Sequence, residues 1–251
     1  MGKIIAVVNQ KGGVGKTTTA VNLTAALTEA GKKVLLVDFD PQANASSGLG
    51  IDKRKLRRSV YDTVINQIPA DEVVVHTKYG DVLPASSDLA GAGVELISVE
   101  NPNHRLAAAL APLKDRYDVI FIDCPPSLEM LTMNGLAAAD SILIPVQCEY
   151  YALEGLADLM TTQRLIKKRI NPGLELFGVA LTMFDGRTNF STQVAQEVRH
   201  HFPGKVYATV IPRNVRLAEA PSHGLPVTVY DRNSRGAIAY KAMAQEIIKK
   251  L

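Results

Sequence analysis

Tryptophan is absent, cysteine occurs twice, and aromatic residues make up only 6% of the 251 residues. With Cys124 and Cys148 alone, neither a disulfide framework nor an all-cysteine zinc site is possible. Long apolar runs are missing as well. A run such as 106–113 falls far short of the ~20 residues that a membrane-spanning helix needs. The early apolar run is interrupted by Asn9, Gln10 and Lys11, and no small-residue cleavage site follows, so no secretion signal is read. The expected compartment is the cytoplasm. A composition of 47% hydrophobic and 21% charged residues excludes disorder.

A charge excess of one sign is also nearly absent: the formal net charge is +3. Its distribution is uneven. Residues 1–150 carry 14 basic and 17 acidic side chains, net −3, and residues 151–251 carry 14 basic and 8 acidic, net +6. A basic C-terminal part points weakly toward a polyanion.

What is present is alternation. Residues 4–8, 34–37, 119–122, 141–146, 176–181 and 206–211 are short Val/Ile-rich runs without polar alternation, as in strands buried on both faces. Helical stripes lie between them. Ala20, Leu23, Leu27 and Ala30 form one, stopped by Gly31; Leu153, Leu156, Leu159, Met160 and Gln163 form another, stopped by Asn171-Pro172-Gly173. A last helix over about 237–251 is expected to bury Ile238, Met243, Ile247 and Ile248. The pattern predicts a single α/β domain over 1–251, a doubly wound and mostly parallel sheet with helices on both faces. Residues 50–100 are the least regular, and 53–58 form a short basic run within them.

Directly after the first strand comes Asn9-Gln10-Lys11-Gly12-Gly13-Val14-Gly15-Lys16-Thr17-Thr18. Glycines let backbone N–H groups converge on a phosphate. Lys16 supplies a compact positive charge, Thr17 a hydroxyl for Mg²⁺, and the helix that follows turns its N-terminus to the same anion. Gln10 stands where the usual phosphate loop has its first glycine, and Lys11 is an additional lysine.

This string, Lys11 to Thr18, resembles the deviant Walker A loop of the ParA/MinD family of ATPases. Val34-Leu35-Leu36-Val37-Asp38-Phe39-Asp40-Pro41-Gln42 resembles the family's acidic segment, and Asp123-Cys124-Pro125-Pro126 its Walker B segment. Ile211-Pro212-Arg213-Asn214-Val215-Arg216-Leu217-Ala218-Glu219-Ala220-Pro221-Ser222 is similar to the chromosome-partition branch, the ParA/Soj proteins. The resemblance implies ATP and Mg²⁺ as cofactors. It implies Lys11, Lys16 and Asp40 as catalytic residues, with Asp40 on the attacking water. It implies a nucleotide cradle from Lys11, Gly12, Gly13, Val14, Gly15, Lys16, Thr17 and Thr18, with Thr182, Met183, Pro212, Arg213 and Asn214 around adenine. Thr17, Asp38 and Asp123 would serve the metal.

Thr182-Met183-Phe184-Asp185 lacks the Asn and Lys of a guanine-reading N-K-x-D motif, which favours ATP over GTP. By resemblance, Lys11 reaches across an ATP-dependent homodimer to the other subunit's phosphates. The dimer binds double-stranded DNA without sequence preference, Arg187 and Arg216 being the leading contacts. Lys167, Lys168, Arg199, Arg232, Arg235, Lys241, Lys249 and Lys250 are weaker candidates. A ParB-type centromere-binding protein would stimulate hydrolysis, and the expected location is the nucleoid. Cys124 and Cys148 read as small buried hydrophobes, and the five histidines form no metal pattern. Two alternatives stay open: a MinD-like membrane-cycling ATPase, disfavoured because no amphipathic tail follows the last helix, and a metabolic ATP-dependent enzyme of the same fold. With the phosphate loop so near residue 1, no helix-turn-helix domain is expected ahead of it.

Overall fold

The computed structural model describes residues 2–127, 129–149 and 152–251, the side chains of 152–159 and 162 excepted. Seven strands form one sheet: β1 (Lys3–Val7), β2 (Val34–Asp38), β3 (Val75–Thr77), β4 (Gly80–Leu83), β5 (Val119–Asp123), β6 (Ser141–Gln147) and β7 (Glu175–Thr182). Their order is β3-β4-β2-β5-β1-β6-β7, and every neighbouring pair is parallel except the antiparallel β3–β4.

The Val/Ile-rich runs are continuous because successive side chains enter two different cores. Ile4, Ala6 and Val8 enter one, Ile5 and Val7 the other; Leu35 and Val37 separate from Leu36, and Ile120 and Ile122 from Phe121, in the same way. The first core is covered by the helices Val60–Val64, Leu89–Glu95, Arg105–Leu110, Met130–Ala138 and Asn189–His201. The second is covered chiefly by Lys16–Glu29, through Ala20, Leu23 and Leu27, and by Arg235–Ile248, through Tyr240, Met243 and Ile247. Each Leu, Met or Ile side chain among these, once fully buried, contributes ~1.5–3 kcal/mol of transfer free energy.

Four expectations need correction or limits. Residues 206–211 are not a strand. The segment follows β7, with Tyr207 N–H donating to Val179 O and Ile211 N–H to Leu181 O, but the ladder breaks between them. There the N–H groups of Ala208 and Thr209 turn to the Glu246 carboxylate, at 2.9 and 2.8 Å. The last helix is Arg235–Ile248, and Ile238 is 57% exposed; the core position belongs to Tyr240. Ala30 ends the stripe of its helix exposed, as the C-terminal cap. Leu153, Leu156 and Leu159 lie outside the described side chains, while Gln163 is buried and donates to Leu174 O. The irregular stretch 50–100 holds the β3–β4 hairpin, whose short strands carry too little periodicity to be read.

Candidate nucleotide-binding site

Strand register builds the acidic end of the site. Val7, Asp123 and Asp38 are aligned across β1, β5 and β2, so one carboxylate stands beside the strand that feeds the phosphate loop and the second stands one strand further out. All three lie at carboxyl ends of parallel strands, where open α/β sheets bind ligands.

The loop between β1 and the helix Lys16–Glu29 is held at both ends. Asn9 Nδ2 donates to Pro145 O at 2.8 Å, and its Oδ1 accepts from Lys11 N–H. Thr182 Oγ1 donates to Val14 O at 2.8 Å, which ties the end of β7 to the loop. Gly13 and Gly15 adopt φ of 75° and 90°, the left-handed region that a side chain would strain. The helix begins without a side-chain cap and without an acidic residue in its first turn. Its free N–H groups and positive dipole end therefore face the cleft, ready for an anion.

The cleft has two parts. One, about 520 Å³, is lined by Gly12, Gly13, Gly15, Lys16, Thr17, Thr18, Asp40, Pro41, Gln42, Asn44, Pro126 and Met183. The other, about 370 Å³ and mostly apolar, includes Gly15, Thr18, Thr182, Met183, Pro212, Arg213, Asn214 and Tyr240. Met183 is shared by both, and its φ of 50° is strained for a non-glycine residue. Backbone pairing brings the two adenine-side segments together: Phe184 N–H donates to Ile211 O, and Arg213 N–H to Phe184 O. Asp185 spends its carboxylate on Arg187, at 2.9 and 2.7 Å, and does not line either part.

Lys16 is buried, and its Nζ donates to Lys11 O at 3.2 Å. Burial lowers its pKa, against the opposing pull of Asp123, Cys124 and Asp40. Lys11 is 40% exposed at the mouth of the site, its Nζ 3.5 Å from Glu149 Oε2. Glu149 also faces Arg213 at 3.5 Å, so one carboxylate spans the phosphate side and the base side. Asp40 accepts from Gln42 N–H at 2.9 Å and is half-buried.

Asp38 and Asp123 are both fully buried but differently furnished. Asp38 Oδ2 accepts from Ser46 N–H and Ser46 Oγ, both at 2.7 Å, and burial raises its pKa to about 6 despite these bonds. Neither oxygen of Asp123 has a hydrogen-bond partner among the described residues. Burial, and then the neighbouring Asp38, push its pKa well above the ordinary range; Thr17 eases the charge without meeting hydrogen-bond geometry. An orphaned buried carboxylate beside a threonine hydroxyl and an anion cradle fits a hydrated divalent cation. No cluster of three or more His, Cys, Asp or Glu side chains that could hold a metal occurs among the described residues.

The two leading arginines lie away from the cleft's polar floor. Arg187 is 88% exposed and clamped on Asp185. Arg216 pairs with Glu219 at 2.8 Å and with Asp231 at 3.2 Å. Of the weaker cations, Lys241 pairs with Glu29, and Lys250 sits over the Tyr207 ring. The cysteines are free and buried; burial raises both thiols, Cys148 to about 11. No helix among the described residues is long and apolar enough to cross a membrane. Glu149 and Ser46 were not singled out from sequence. Glu149 offered one signal, an acidic residue just past a buried strand; Ser46, eight residues from Asp38, offered none.

A family profile described as an AAA domain matches residues 2–176. The sporulation initiation inhibitor protein Soj of Bacillus subtilis is 55% identical over 98% of both chains. The chain belongs to the ParA/Soj branch of the ParA/MinD family. A chromosome-partitioning ATPase Soj of Treponema pallidum is 49% identical over 100% of this chain and 98% of its own. Among solved structures, cobyrinic acid a,c-diamide synthase of Mycobacterium smegmatis with bound ADP and magnesium superposes with a TM-score of 0.86, at 39% identity over 99% of this chain and 95% of that one. This ParA/Soj member is a P-loop ATPase of α/β fold, and ATP and Mg²⁺ are its cofactors.

Proposed function

We propose that the chain, as one ATPase domain over 1–251, is the nucleotide-gated switch of a DNA-partition apparatus. It is a partitioning ATPase. In the proposed cycle ATP binds, two copies close into a sandwich dimer, and the dimer holds double-stranded DNA without reading its sequence. A ParB-type partner triggers hydrolysis, and the protein leaves the DNA. Its working place is then the cytoplasm, on the nucleoid.

The observation that carries this reading is Lys11, an extra cation at the open mouth of the phosphate cleft, whose ion pair among the described residues is with the partly exposed Glu149 carboxylate 3.5 Å away. Exposed ion pairs of this kind contribute ~0–1 kcal/mol, so a second copy's triphosphate would readily draw the lysine off. Lys16 and the loop amides would bind the phosphates, while Thr17 and Asp123 hold Mg²⁺, with Asp38 behind them. The bound Mg²⁺ supplies charge neutralisation at the phosphates. Asp40, half-buried in the same cleft, would orient the attacking water and accept its proton. Lys11 from the other subunit would stabilise charge on the transferred phosphoryl group, which makes turnover depend on dimerisation. Adenine would lie in the apolar part, between Thr182-Met183 and Pro212-Arg213-Asn214. Arg187 and Arg216 would contact DNA phosphates.

The likeness to a diamide synthase supports a second reading, ATP-dependent synthesis on a small molecule. The partition reading is favoured by the 49% identity of a chromosome-partitioning ATPase over 100% of this chain and 98% of its own. DNA binding measured with ATP, with ADP and without nucleotide, at two salt concentrations, tests it. Binding confined to ATP and weakened by salt is expected; equal binding in all three states refutes the switch.

A further inference from the structure

The basic run 53–58 takes no part in the site described above, but it follows a helix that does, and that helix packs against the end of the Arg216 block. The segment Lys53–Lys55 is a single 3-10 turn capped by Asp52, and it follows the short helix Asn44–Gly48. That helix packs against the turn Ala220–His223, at the end of the Arg216 block. The approach is close: a Cβ on Gly224 would lie 3.0 Å from Gly50 Cα, and one on Gly50 3.1 Å from Gly224 O. Both glycines have positive φ, 64° and 83°, so the seam between the two segments is tight and backbone-defined.

The run is also poorly neutralised. Lys53, Arg54, Lys55, Arg57 and Arg58 are all exposed, with the side chains of Arg54 and Lys55 at 90% and 84%. Among the described residues only Asp52, shared by Arg54 and Lys55, and Glu72, on Arg58, answer them. Arg57 has no ion-pair partner among the described residues. At its inner end Lys53 Nζ donates to Gln42 O at 2.7 Å, and Gln42 N–H donates to Asp40 Oδ1 at 2.9 Å. The cationic turn is thus two hydrogen bonds from the carboxylate on the phosphate cleft.

We infer that 53–58 is a second contact for the DNA phosphate backbone, continuous with the Arg216 block across the Gly50–Gly224 seam. This deepens the partition reading and rests on it. DNA suits the run better than an acidic protein surface does. The cations are a short set of exposed side chains with no apolar anchor among them beyond half-buried Leu56, and phosphate contacts need only charge. The tether through Lys53 gives the contact a consequence: phosphate that engages Lys53 competes with Gln42 O and loosens the Asp40 loop.

The test uses the full chain with ATP and Mg²⁺ and a double-stranded DNA fragment of arbitrary sequence. A Lys55→Ala/Arg57→Ala variant changes only exposed side chains, and its thermal unfolding should match the parent's. The expected result is weaker DNA binding, with a log affinity against log salt slope shallower by roughly 1.8, at about 0.9 per lost phosphate contact. Arg57→Glu alone should weaken binding further than Arg57→Ala. An unchanged slope and affinity, in a parent that does bind DNA with ATP, overturns the inference while leaving the partition reading intact. Normal DNA binding with lost stimulation by a partner protein overturns it in favour of a protein contact. Loss of the ATP-dependent dimer, read by sedimentation, overturns it in favour of an interface between copies. A parent that never binds DNA takes the partition reading down first.

Discussion

Replacing Asp123 by asparagine should make the nucleotide-free protein more stable and the nucleotide-bound protein less so. Asp123 is 0% exposed, both oxygens lack hydrogen-bond partners among the described residues, and Asp38 stands beside it in register. A buried charge left unpaired costs several kcal/mol, whereas an unsatisfied buried amide costs about 1–3 kcal/mol. Asp38 keeps its own penalty in the variant, since burial, with a smaller contribution from Asp40, raises its pKa to about 6 against 3.8 normally. A net gain of about 2 kcal/mol is therefore expected, which for a chain of this size raises Tm by about 4–8 °C. The parent should instead gain from its ligand: at a hundredfold excess over Kd, Mg²⁺ and ATP stabilise by ~2.7 kcal/mol. Thermal unfolding followed by circular dichroism, with and without Mg²⁺ and ATP, reads both effects. An asparagine variant that melts below the parent without ligand, or that keeps the parent's full Mg²⁺-dependent gain, refutes the account of Asp123 as an unpaired carboxylate awaiting a cation.

The same chemistry fixes a pH dependence. Asp38 and Asp123 have raised folded-state pKa values, so the folded chain holds protons that the unfolded chain has released, and the stability of the nucleotide-free protein should fall as pH rises through about 6; denaturant titrations at pH 5.5 and 7.5 in which the higher pH gives the greater stability would exclude this. Lys11→Ala should retain much of the nucleotide affinity but lose the ATP-dependent dimer and turnover, and light scattering that shows a normal dimer would remove the lysine from its role across the interface. Competition binding should favour ATP over GTP, since Asp185 is already bonded to Arg187; equal affinities would overturn that choice. Glu246→Ala should cost about 2 kcal/mol by releasing the Ala208 and Thr209 N–H groups, at ~1 kcal/mol per hydrogen bond, and an unchanged denaturation midpoint would show those groups satisfied by water.

Local chemistry was legible wherever it is written in consecutive residues. The run from Lys11 to Thr18 specifies a glycine-bent loop, a cation and a helix start, because positive φ and uncapped N–H groups depend on the residues themselves. The Val/Ile runs specified buried parallel strands, and Asp38 and Asp123 could be placed at strand ends. The short β3–β4 hairpin was not legible, nor was the loss of the ladder at 206–211, where the deciding group, Glu246, lies 37 residues further along the chain. Only the folded sheet could show that Asp38 and Asp123 are neighbours, that Asp38 accepts two bonds from Ser46 while Asp123 accepts none among the described residues, and that Glu149 spans Lys11 and Arg213. Composition had given two cysteines, no tryptophan and almost no net charge, and those scarcities excluded disulfide and all-cysteine zinc frameworks from the start. Burial and pairing are properties of position in space: the sequence determined which charges the chain carries, and the tertiary structure decided which of them were left without a partner.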